Sequence, residues 1–225
     1  MSKAAVVFDL DETLVDRRAG LLRSAKGLWD SGRTTMTDGA AFLARFMELD
    51  GNGRVKRPVF FERLCAECLP HADPIEVAET FVATAWNEPP LFDDAVPVLR
   101  ELKERGYAIG IVSNGQSRTQ RAKIDNSALG GLVDAVTISG ELGIDKPDAR
   151  IFAHALEQLG VMAEAAWFVG DDPRADVQGA AAAGLHAIWL QRHLAWPTDL
   201  VPCHRARIAV LAELLPLLPG APGPR

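Results

Sequence analysis

Carboxylates recur in this chain beside small polar residues and one lysine, in short segments that each follow an apolar run. Asp9-Leu10-Asp11-Glu12-Thr13 is the first; Ser113-Asn114-Gly115, Asp145-Lys146-Pro147-Asp148 and Gly170-Asp171-Asp172 follow, with Asp176 one turn on. Asp9, Asp11 and Asp171 gathered in a desolvated cleft would repel one another strongly. A divalent cation neutralises such a cluster, and ligands that are all oxygen select Mg2+. With the cation in place, Lys146 can serve as a point charge and Ser113 as a hydroxyl donor. Turn amides around Leu10, Asp11 and Asn114 complete a cradle for a phosphate. Asp9 can then attack phosphorus as a nucleophile and form an acyl phosphate. Asp11, expected to be protonated by its surroundings, can donate to the leaving alkoxide and later take a proton from water.

Residues so far apart in sequence meet only if a sheet presents them together. Ala4–Phe8 is a continuous apolar run, the mark of a strand buried on both faces of a parallel sheet. Tyr107–Val112, Ala135–Ile138, Ala166–Val169 and His186–Leu190 have the same character. Helical patterns lie between them: Ala95–Arg105, Gln116–Asn126, Asp148–Leu159 and Arg174–Ala183, three of them stopped by Gly106, Gly160 and Gly184. Strands alternating with helices predict an α/β fold, a doubly wound, mostly parallel, Rossmann-like sheet. In such a sheet ligands bind at the carboxyl ends of the strands, where the carboxylates fall.

Residues 16–90 break the rhythm with helical stripes and no convincing strand, including a helix start at Asp73-Pro74-Ile75-Glu76. The expected organisation is an α/β core from 1–15 and 91–217, an inserted all-α cap from 16–90, and a disordered tail from 218–225.

Taken in order, Asp9-x-Asp11-x-Thr13, Ser113-Asn114, Lys146-Pro147 and Gly170-Asp171-x-x-x-x-Asp176 closely resemble the four motifs of the haloacid dehalogenase superfamily. The resemblance covers residues 4–191, and the insert is similar to the small helical cap of subfamily I. Residues 113–156 are most similar to the branch of pyrimidine-nucleotide, flavin-mononucleotide and acylneuraminate-9-phosphate phosphatases. The resemblance implies that Asp9 is both nucleophile and metal ligand. It implies that Asp11 is acid/base and binds metal through its carbonyl, and that Asp171 is the third ligand. Asp172 and Asp176 would support the metal waters or Lys146, and Leu10, Thr13, Ser113, Asn114 and Lys146 would bind the phosphate.

Specificity is assigned to the cap. Arg17 and Arg18, just after the first motif, could meet an acidic leaving group, as could Arg54, Lys56 and Arg57; for any one of them a solvated charged face is the favoured reading. Phe42, Phe46, Phe60, Phe61 and Trp86 could stack on a base, but their helical spacing fits a cap core better. Cys65-x-x-Cys68-x-x-His71, with Cys203-His204, has metal-like spacing, yet both cysteines belong to an apolar stripe. Asp50-Gly51-Asn52-Gly53 fails as a calcium loop, with Arg54 at its fifth position, and reads as a turn.

The chain has 225 residues, 48% of them hydrophobic, and 30 acidic against 24 basic residues, for a net charge of −6. That balance speaks against nucleic-acid or anionic-membrane binding. The opening Met1-Ser2-Lys3 and the apolar stretch broken at Asp9 do not make a secretory signal. Three cysteines cannot all pair, which suits a reducing compartment. The expectation is therefore a cytoplasmic, Mg2+-dependent phosphomonoesterase of a small phosphorylated metabolite, a monomer or homodimer. The rivals are a 2-haloacid dehalogenase, a phosphomutase of the β-phosphoglucomutase kind, and a binding protein with a retired site. Dehalogenases resemble this chain but lack an acid at the position of Asp11. A retired site would have lost Asp9 or Lys146.

Overall fold

The computed structural model describes residues 4–219. Residues 1–3, which open the stretch read for a secretory signal, and 220–225 of the expected tail lie outside it. The chain divides into two compact units, Met1–Asp16 with Leu91–Arg225, and Arg17–Pro90. Among the described residues no helix is long and apolar enough to cross a membrane.

The first unit is α/β. Its strands are β1 (Ala5–Phe8), β2 (Ala108–Ser113), β3 (Ala135–Ile138), β4 (Ala166–Gly170), β5 (His186–Leu190) and β6 (Ala206–Ile208). They form one sheet in the order β3-β2-β1-β4-β5-β6, every pair parallel. All four residues of β1 are buried, as a central strand of a covered sheet requires. Phe8 pairs with Ile111 on one side and Val169 on the other, so the residues after β1, β2 and β4 emerge side by side.

Helices of this unit bury their apolar faces on the sheet. The helix Ala149–Leu159 buries Ile151, Phe152, Ala155, Leu156 and Leu159, one stripe at helical spacing. It starts on Asp148, whose carboxylate accepts from the amide of Arg150, and stops at Gly160 with φ +65°.

Two elements differ from expectation. The strand β6 joins the edge through three residues, Ala206-Arg207-Ile208, too short and too polar to stand out as an apolar run. The expected helix over Arg174–Ala183 is present but mixed in type, a π-helical stretch, Pro173–Gln178, running into a short α segment, Gly179–Ala182. The backbone beside Gly179 is tight: a Cβ there would lie 2.9 Å from the Cα of Pro147. At the carboxyl end of the chain, Leu218 is buried and the carbonyl of Pro219 accepts from the Tyr107 hydroxyl. Packing therefore reaches residue 219.

The second unit is all helical: Arg17–Asp30, Gly39–Asp50, Arg57–Cys68 and Pro74–Ala85. The Asp73 carboxylate caps the last of these by accepting from the Ile75 amide. Phe42, Phe46, Phe60, Phe61 and Phe81 are buried in contact with one another, with centroids 4.9–6.4 Å apart. The aromatic set is thus the core of this unit. Trp86 is buried as well, and a Cβ on Gly20 would come 2.5 Å from its ring. Cys65 and Cys68 are free and buried in the same unit, where burial pushes their thiols up.

Asp50 is a buried ion-pair centre as well as the start of the expected turn. Its carboxylate accepts from Arg17 at 2.6 and 2.9 Å, from Arg57 at 2.9 Å and from the Gly53 amide at 2.9 Å.

Candidate active site

The carboxyl ends of β1, β2 and β4 and the loop after β3 bring Asp9, Asp11, Ser113, Asn114, Lys146, Asp171 and Asp176 into one connected set. Asp9 follows β1 directly and its amide donates to the carbonyl of Val169 at 2.9 Å, which ties it to β4. Beyond it the chain turns sharply. The amides of Leu14 and Val15 both donate to the Leu10 carbonyl, and Glu12 takes a left-handed φ of +58°. Leu10 and Thr13 are buried in this turn, and the Thr13 hydroxyl has no hydrogen-bond partner among the described residues.

Lys146 is the hub. Its ammonium donates to Asp9 Oδ1 at 2.5 Å, Asp176 Oδ1 at 2.6 Å and the Val112 carbonyl at 2.9 Å, so all three protons are placed. Burial works against its charge, but Asp176 and Asp9 outweigh that and hold its pKa above the ordinary lysine value. Asn114 fixes its backbone from both sides. The Oδ1 of Asn114 accepts from the Lys146 amide at 2.8 Å, and its Nδ2 donates to the Lys146 carbonyl at 3.0 Å. The Asn114 side chain therefore positions the lysine, a role distinct from the turn amide expected for a phosphate.

Asp9, Asp171 and Asp176 are all buried, and one carboxylate oxygen from each lies within 4.8 Å of the others. Among the described residues no other group of His, Cys, Asp or Glu meets that spacing. Burial raises Asp9 to about 7, with Lys146 opposing and Asp176 adding to the rise. Asp171 is pushed up to about 9 by burial first and then by Asp176 and Asp9. No donor among the described residues reaches its carboxylate, while its carbonyl accepts from the Trp189 indole at 3.1 Å. A buried carboxylate facing two others with no protein cation on it is the donor set that a hard divalent cation completes. The residues fit the expected metal.

Asp176 supports the site through both oxygens, one held by Lys146 and the other accepting from the Asp172 amide at 3.0 Å. Its carboxyl group occupies the space above Gly170, where any Cβ would collide with it. Asp172 has a different task. Its Oδ1 accepts from the amides of Arg174 and Ala175 at 2.8 and 2.9 Å, the geometry of a helix N-cap.

Asp11 lies in an ion pair, its carboxyl group held by two side chains of one helix. Lys123 donates to both of its oxygens at 2.7 Å, and the Gln120 Nε2 donates to Oδ2 at 3.0 Å. Gln120 also donates to the Ser113 hydroxyl oxygen at 2.6 Å and accepts from Lys123 at 2.8 Å. Sequence reasoning missed both residues. They lie three apart on the helix Ser117–Asp125, each 2% exposed, beside buried Ile124. That shared face was the available signal.

Arg17 and Arg18 open the first helix of the other unit. Arg17 is engaged by Asp50, and Arg18 is exposed.

A family model described as haloacid dehalogenase-like hydrolase matches residues 3–184. The chain is 38% identical over 160 residues to the phosphoserine phosphatase of Thermus thermophilus, covering 69% of this chain and 64% of that protein. It is 27% identical over 226 residues to (S)-2-haloacid dehalogenase 4A of Burkholderia cepacia, covering 96% of this chain and 95% of that one. In structure it resembles the magnesium-bound hydrolase YfnB of Bacillus subtilis with a TM-score of 0.79 and 22% identity, over 96% and 99% of the two chains.

Proposed function

The chain belongs to the haloacid dehalogenase-like hydrolase family, and we propose that it is a Mg2+-dependent phosphomonoester hydrolase working through an aspartyl phosphate on Asp9. Its substrate on this reading is a small phosphorylated metabolite of the cytoplasm, the leaving group being chosen by the helical unit Arg17–Pro90 acting as a cap. Phosphatases among its relatives support a phosphatase enzyme.

The observation that carries the reading is Asp11, a second carboxylate two residues past Asp9 and gripped by Lys123 and Gln120. Halide leaves as an anion and needs no proton. An alkoxide leaving phosphorus does, and a positioned acid supplies it. A dehalogenase therefore has no use for a held carboxylate here.

Asp9 and Asp171, with the carbonyl of Asp11, would hold the cation; bound there, it neutralises the carboxylates and draws charge from the phosphoryl oxygens. Lys146 keeps the Asp9 carboxylate in one orientation and balances Asp176. An oxygen of Asp9 attacks phosphorus, the bond from phosphorus to the leaving oxygen breaks, and Asp11 delivers a proton to that oxygen. Water then attacks phosphorus, its proton passes to Asp11, and Asp9 is regenerated as inorganic phosphate departs. The hydroxyl of Ser113 and the turn after Asp9, with Leu10 and Thr13, are assigned to the phosphoryl oxygens.

The test is a panel of phosphomonoesters and 2-haloacids, assayed with Mg2+ and with EDTA. Phosphate release that needs Mg2+ is the expected result. Halide release that persists in EDTA would overturn the reading in favour of a dehalogenase.

A further inference from the structure

We propose that Lys123 and Gln120 are positioning residues for the acid/base step, holding Asp11 in one orientation and fixing the hydroxyl of Ser113 through the same side chain. The proposal rests on the phosphomonoesterase reading and adds residues that none of the four motifs contains.

The geometry is specific. Lys123 is 2% exposed although lysine is among the side chains least often buried, and it sits on Asp11 with 2.7 Å to each oxygen. Its third short contact goes to Gln120 Oε1 at 2.8 Å. That contact settles which way the Gln120 amide faces, because the oxygen must meet the ammonium. The Nε2 then has two protons, and its two short contacts are Ser113 Oγ at 2.6 Å and Asp11 Oδ2 at 3.0 Å. Since Ser113 Oγ accepts from Gln120, its own proton remains available to donate. One turn of the helix Ser117–Asp125 thus orients two groups at two strand ends: a carboxylate for the leaving oxygen and a hydroxyl for the phosphoryl group. A lysine packed for stability alone would not require the neighbouring amide to bridge both.

Two probes separate the acid step from the rest. O-Phospho-L-serine has an alkoxide leaving group that needs a proton, whereas 4-nitrophenyl phosphate has one that leaves unaided. In Lys123→Met, kcat/KM for phosphoserine should fall at least ~10²-fold. The pre-steady-state burst of nitrophenolate should fall less than about tenfold, because bond breaking there needs no acid. The cycle with Asp11→Asn supplies a second readout. If Lys123 works through Asp11, adding Lys123→Met to Asp11→Asn should cost less than about threefold more on phosphoserine. The double variant also leaves no unpaired buried charge, so it keeps the test open if Lys123→Met alone fails to fold. Gln120→Met, which preserves the ion pair, should lower the phosphoserine to nitrophenyl ratio in the same direction. Equal losses on both probes, or multiplicative losses in the cycle, would overturn the proposal. Absence of phosphate release by the unaltered protein would instead sink the phosphatase reading itself.

Discussion

At the scale of single residues, two side chains of opposite charge, Asp9 and Lys146, divide the work of the site. Replacing Asp9 with Asn removes the proposed nucleophile but leaves a group of the same shape, and relieves one of three crowded carboxylates. The expected result is a folded protein, by circular dichroism and melting, whose phosphate release has kcat lowered at least ~10³-fold. Lys146→Ala should behave differently because the lysine is structural as well as electrostatic. It holds Asp9 and Asp176 through buried contacts of 2.5 and 2.6 Å, and its loss strands both charges. Activity should collapse, and urea unfolding should show a cost of about 3–5 kcal/mol, the range for breaking a buried ion pair from one side. The residues of the four motifs could be read from sequence because each ends or closely follows an apolar strand, where an exposed strand end makes polar side chains conspicuous. Lys123 and Gln120 could not be read that way. A lysine in a polar helix is ordinarily solvated, and only the contact with Asp11, distant in sequence, reveals that this one is buried.

At the scale of elements, what was legible depended on how much apolar periodicity each segment carries. The five long strands announce themselves as runs, and the helix Ala149–Leu159 by its stripe and its Gly160 stop. The strand Ala206–Ile208 is held by pairing with β5, a tertiary cause with no local signature. The π-helical stretch at Pro173–Gln178 likewise answers to Asp172, Asp176 and the close approach of Gly179 to Pro147. In the helical unit Asp50 joins three elements: the helices that begin at Arg17 and Arg57 and the turn through Gly53. Burial opposes its charge, but Arg17 and Arg57 prevail and hold its pKa below the usual carboxylate value. A group depressed on folding contributes stability that is present above its unfolded pKa, near 3.9, and is lost as pH falls through the folded value. Asp50→Asn should therefore lower stability at pH 7 by about 3 kcal/mol. The gap between the two proteins should narrow as pH falls below about 4. Urea midpoints at a series of pH values check both statements, and a constant gap would show that the pairing contributes nothing.

At the scale of the whole molecule, the sheet brings its carboxylates together at a cost in stability. Strand ends β1 and β4 and the turn after β4 force Asp9, Asp171 and Asp176 into one buried group, with Lys146 neutralising Asp9 and Asp176 but not Asp171. Among the described residues Asp171 is the member left without a donor, so its charge is the one the fold tolerates least. An arrangement of this kind is kept for function, as strained sites generally are. Asp171→Asn should then act in opposite directions with and without metal. In EDTA near pH 7 the variant removes a carboxyl group that must take up a proton on folding, and it should be more stable than the unaltered protein by roughly 1–3 kcal/mol. With Mg2+ the unaltered protein should gain stability by mass action, about 2.7 kcal/mol at a hundredfold excess over its Kd, and the variant should gain far less. The ranking of the two melting temperatures should therefore converge or invert as Mg2+ is added. Melts of both proteins over a Mg2+ titration read this without reference to turnover. If Asp171→Asn melts lower than the unaltered protein in EDTA, the carboxylate is stabilised by contacts of its own. If both proteins gain equally from Mg2+, the cation binds elsewhere and the assignment of Asp171 as its ligand fails.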